Sequence, residues 1–151
     1  MALADILSAI TTILLAAPVS VPFAYPYQVL NIPASGAPSS LKDTHGLHFW
    51  TVTRTATPEA RLTNLEVQRL HTLTIRGHYE VGVDSVTEPY FQALVETVMV
   101  ALRPVHTLAA PADVEILSPA SLVVCEPRLL SDTYLVYYAE LTLTAQQLMR
   151  G

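Results

Sequence analysis

At 151 residues, 51% of them hydrophobic and 14% charged, the chain is long enough for one domain with a real core and too short for two. A formal charge of −5 and a pI near 5.4 exclude a protein that wraps nucleic acid by neutralising phosphates, which needs a dense Lys/Arg surface. A single cysteine, Cys125 in the apolar run SLVVCE, excludes an internal disulfide and reads as a buried thiol.

Residues 3–16 place Leu3, Ile6, Leu7, Ile10 and Leu14 on one side of a helix and Asp5, Ser8 and Thr12 on the other. A secretion signal is the sharper alternative, but such a segment begins with positive charge. Here no Lys or Arg precedes Lys42, so an amphipathic first helix is expected. No apolar run approaches the ~20 residues of a membrane span. From Pro18 to Gly46 the chain is broken by Pro18, Pro22, Pro26, Pro33 and Pro38, and PASGAPSS predicts a flexible loop over about 33–46. The stretch LHFWTVTR, 47–54, predicts a short strand by its aromatic and β-branched content, with either face a candidate for burial. TATPEARLTN then reads as a hairpin arm or loop.

The clearest signals follow in succession. His71, Leu73, Ile75, Gly77 and Tyr79 alternate with Thr72, Thr74, Arg76, His78 and Glu80, the period of a strand whose second face could be left in water. Ser85-Val86-Thr87-Glu88 reads as a capping box. Beyond it Phe91, Leu94, Val95, Val98 and Leu102 form the buried stripe of a helix that Pro104 ends. VEIL and SLVVCE are two short apolar runs around the turn signal Ser118-Pro119-Ala120, one interrupted strand or a tight hairpin. TYLVYYAELTLT, 133–144, alternates with Leu135, Tyr137, Ala139, Leu141 and Leu143 on one face. The order predicts a single α+β domain over 1–151, a mostly antiparallel β-sheet packed by two main helices.

Motifs for chemistry are missing. His45 and His48 are the closest histidine pair, with no Cys or second acidic cluster nearby to complete a zinc site. His71 and His78 lie seven apart on a strand and so face opposite ways. Glu80 and Asp84 could stand together at a strand end, but polar residues are ordinary there. Neither a phosphate loop nor a Gly-x-Ser-x-Gly elbow occurs. No catalytic, cofactor-binding or metal-ligating residue is therefore expected.

The stretch from Leu70 to Arg103, LHTLTIRGHYEVGVDSVTEPYFQALVETVMVALR, resembles the middle of tail terminator (tail completion) proteins of long-tailed bacteriophages. In that family a strand ending in a phrase like RGHYEV leads through an acidic turn to a helix of the type EPYFQALVETVMVAL. The resemblance implies a small α+β virion protein, assembled in the host cytoplasm. It would form a hexameric ring on the head-proximal end of the tail tube, stop tube polymerisation, and dock the head connector. The implied partners are further copies of the chain, the tube protein and the connector. DNA would pass through the ring without sequence-specific binding, and no membrane is involved. The family has no catalytic residues to carry over.

On the residues themselves, Tyr134, Val136 and Tyr138 lie on the face of the last strand that ought to be wet. They are expected to form an apolar patch in a subunit or ring–tube interface, unless the first helix covers them. The alternative from another class is a small-ligand-binding or enzymatic domain with a pocket lined by Tyr79, Tyr90 and Tyr137.

Overall fold

Two long strands far apart in sequence, each alternating over much of its length, dictate the architecture. The computed structural model describes residues 3–29, 32, 36–82, 87–105, 114–130 and 134–150. Strand β4 (Glu66–Glu80) and strand β7 (Leu135–Arg150) pair antiparallel without a break from Glu66↔Arg150 to Glu80↔Val136. Each side of this ribbon is flanked by a strand in two pieces. Beside β4 run β2 (His48–Ala56) and β3 (Glu59–Arg61), parted at Thr57-Pro58; beside β7 run β5 (Val114–Ile116) and β6 (Ser121–Leu129). A two-residue strand β1 (Ala24–Tyr25) lies parallel to β2 at Trp50 and Thr51 and completes a seven-stranded sheet. The two readings left open for VEIL and SLVVCE resolve to the interrupted strand, since both runs pair with β7 one after the other.

Helix α1 (Leu3–Leu15) and helix α2 (Thr87–Leu102) lie on one face of the sheet. Ile6, Leu7, Ile10 and Leu14 of α1 and Phe91, Leu94, Val95, Val98 and Leu102 of α2 bury against Trp50, Val52, Leu73, Ile75, Ala139, Leu141 and Leu143. Those are the stripes and alternations that periodicity picks out. The domain is α+β, a mostly antiparallel sheet packed by two helices. Arg103 and Val105 donate to Met99 and Leu102 carbonyls, closing the last turn of α2 just around Pro104. Ser85 of the expected capping box lies outside the described residues, as does Asp84. Gly77 permits the packing of β2 on β4, because a methyl there would sit 2.6 Å from the Trp50 ring.

The opposite face departs from expectation. At the end of the sheet near Glu80 it is not wet but carries a second core of Ile32, Ala37, Leu41, Leu47, Phe49 and Val136, with Phe23, Tyr25, Val29, Leu130 and Tyr134 packed around it. The described part of the segment expected as a flexible loop is thus docked. Ser39–Leu41 makes one 3-10 turn that seats Leu41, and Lys42 bridges Leu47. The few apolar residues, Ile32, Ala37 and Leu41, supply the burial. Consequently β2 is covered on both sides from His48 to Val52, which explains why its alternation is poor. His78 and Thr74, read as water-facing, are buried as well.

Candidate functional site

The residues expected at an interface are reached first from β7. Tyr134, Val136 and Tyr138 do share a face, but Val136 is fully buried and Tyr138 nearly so within the subunit itself. Ile32, Ala37 and Leu41, rather than α1, pack with Val136. Tyr134, half-buried, accepts a hydrogen bond on its hydroxyl from Ala37 N at 2.9 Å. The Tyr138 ring meets His78 edge-on at 5.3 Å and carries the Arg128 guanidinium 4.3 Å over its face. Its hydroxyl donates to Glu140, which also lies 3.4 Å from Arg76. These three side chains are therefore core and its rim, not free apolar surface. The covering segment hides in the sequence because its burial comes from isolated residues, Ile32 and Leu41, which no periodicity marks.

The histidines are structural in their geometry. Asp43 starts a tight turn in which its Oδ1 accepts from His45 N and Gly46 N, while its backbone N–H donates to Gly46 O. Its Oδ2 stands 3.3 Å from His48 Nδ1, and His48 Nε2 accepts from Trp50 Nε1 at 3.4 Å. Both ring nitrogens of His48 are thus engaged, with the proton on Nδ1. Burial lowers its pKa, partly opposed by Asp43. His45 stacks on Tyr79 at 4.3 Å and donates through Nε2 to Glu80 O. His71 donates through Nε2 to Gln147 Oε1 and accepts on Nδ1 from Thr57, both at 3.0 Å. His78 stacks on Phe49 at 4.4 Å with its Nδ1 unpartnered, and burial lowers its pKa to about 4. Among the described residues no group of three or more His, Cys, Asp or Glu side chains could hold a metal ion. Burial also pushes the Cys125 thiol pKa up.

Tyr79, Tyr90 and Tyr137 come together as the ligand-site alternative expects, but Phe91 occupies the space among them. Its ring lies 6.0 Å from Tyr79 and 6.1 Å from Tyr137, and Tyr90 caps Tyr79 at 5.2 Å. The arrangement is a packed aromatic cluster.

Part of the apolar surface left uncovered runs along one edge; Leu62 and Leu65 are exposed beside the other. Strand β6 is open to solvent along most of its length, with Leu122, Val123 and Leu129 exposed, the last by 74%. Leu117 before it and Leu135 opposite Leu129 are exposed too. Their sequence signal was the apolar run SLVV itself, which reads as a buried strand unless its neighbours are known.

No family model and no curated protein matches this chain. Among solved structures, one similar chain covers 98% of this protein and 92% of its own length, at 14% identity and a TM-score of 0.47, a likeness that carries no argument about function. No helix among the described residues is long and apolar enough to cross a membrane.

Proposed function

We propose that this chain is a structural virion protein, a tail terminator whose ring caps the tail tube, stops its polymerisation and offers the docking face for the head connector. The observation that carries the reading is the strand–turn–helix phrase from Leu70 to Arg103, which spans most of β4 and the whole of α2. Two features support it. An acidic chain with eight cationic residues suits a ring through which DNA slides without sticking. Large apolar side chains stand exposed on an outer strand, where neighbours in a ring could bury them. On this reading the protein is no enzyme. It acts in the tail at its head-proximal end, after assembly in the host cytoplasm, with the tube protein and the head connector as partners.

Electron microscopy of the purified protein tests the ring, which the reading expects to be hexameric. Added to polymerising tube protein, such rings should appear at one tube end and shorten the tubes. Discrete monomers that leave tube length unchanged would overturn the proposal. Rings that bind the connector but never the tube would instead identify another neck protein.

A further inference from the structure

The sheet ends on two unlike edges, and their charges are opposite. On one side, among the described residues, β1 pairs with β2 at Trp50 and Thr51 alone, which leaves Val52–Ala56 and then Glu59–Arg61 of β3 as an edge. On the other side β5 and β6 are the outermost strands. Each edge neutralises one pair within reach: Arg69 lies 3.0 Å from Glu59 beside β3, and Arg128 lies 3.0 Å from Glu126 on β6. The first edge then retains the exposed cations Arg54 and Arg61. The second retains exposed Glu115 on β5, and α2 carries two further exposed carboxylates, Glu88 and Glu96, eight residues apart and so on one side of the helix. Gln92 hydrogen-bonds the Cys125 thiol of β6 and the Glu88 charge is felt there, which sets the first turns of α2 beside that strand. The same edge carries the exposed Leu122, Val123 and Leu129 of β6.

We infer that a second copy of this chain docks head-to-tail, its Arg54/Arg61 edge against the β5–β6 edge and the carboxylates of α2. Unlike edges that meet in this way propagate from subunit to subunit and close into a ring when the rotation allows, whereas a self-complementary edge would stop at a dimer. Pro127 lacks an N–H and β6 is bulged between Leu122 and Val124, so side-chain packing and charge, not a continuous strand ladder, hold the neighbour. The inference rests on the ring reading for closure and adds to it the surfaces that meet.

Charge reversal tests it on the full chain. Arg54→Glu with Arg61→Glu makes both edges acidic; Glu88→Lys, Glu96→Lys and Glu115→Lys together make both basic. Light scattering over a concentration series should show the wild type assembled and each variant alone monomeric, its association weakened about a hundredfold or more, with unchanged far-UV circular dichroism. An equimolar mixture of the two variants should assemble again, since every junction then joins an acidic to a basic edge. Variants that still form wild-type rings, or a mixture that stays monomeric, overturn the edge assignment while leaving the ring standing. A wild type that is monomeric or stops at a dimer throughout overturns the ring reading itself. Should a variant misfold, Val123→Ser with Leu129→Ser replaces it, and rings unchanged by that pair also refute the assignment.

Discussion

Acid should unfold this protein through His78. Its ring lies between Phe49 and Tyr138, only 8% exposed, with Nδ1 unpartnered and Arg76 two residues away on the same strand face. Burial is the main cause of a pKa near 4; a hydrogen bond to the Phe49 backbone opposes it and the Arg76 charge reinforces it. In the unfolded chain the same group takes up its proton near the ordinary 6.5. Between those two values the unfolded state binds more protons, so stability that is complete above about pH 6.5 falls as pH drops and is lost by about pH 4. The difference is worth about 3 kcal/mol, a large part of a small domain's stability. Urea unfolding followed by the fluorescence of Trp50, the single and fully buried tryptophan, measures it at a series of pH values. His78→Phe keeps a ring against Phe49 and cannot titrate. Its stability should therefore fall between pH 7 and pH 4 by about 3 kcal/mol less than that of the wild type. Parallel stability curves for the two proteins would refute the reasoning, because the remaining groups, His48 included, are common to both.

Gly77→Ala should cost about 1–3 kcal/mol in the same assay, since the added methyl meets a Trp50 ring that the core holds in place; an unchanged midpoint would show that β2 can shift. Val136→Thr with Tyr138→Glu should unfold the domain or cost more than about 3 kcal/mol, because it places a hydroxyl and a carboxylate in the second core. A folded, stable double variant would return those residues to the surface. Tyr134→Phe removes the hydroxyl that accepts from Ala37 N, so limited trypsin digestion should cut after Lys42 several times faster than in wild type, and equal rates would mean that Leu41 alone holds the segment. His71→Ala should cost about 1–3 kcal/mol by leaving Gln147 and Thr57 without their bridge, read as a lowered urea midpoint.

The sequence by itself determined α1, α2, β4 and β7, because each repeats its apolar residues at a helix or strand period long enough to define a buried face. The docked residues Ile6, Ile10, Phe91, Val98, Leu73 and Leu141 are all readable in that way. It also determined the α+β class, since the order of those elements leaves few alternatives. Tertiary structure alone decided which of the two faces of the sheet stays wet. Periodicity describes one element at a time, whereas burial of Phe49 and Val136 depends on Ile32, Ala37 and Leu41, apolar residues that stand isolated in the sequence. For the same reason Tyr134, Val136 and Tyr138 looked exposed, while the run SLVVCE showed only that it is apolar and not that Leu122 and Val123 stand in solvent. A strand's local pattern records that a residue is apolar. Only the neighbours supplied by the rest of the fold determine what removes it from water.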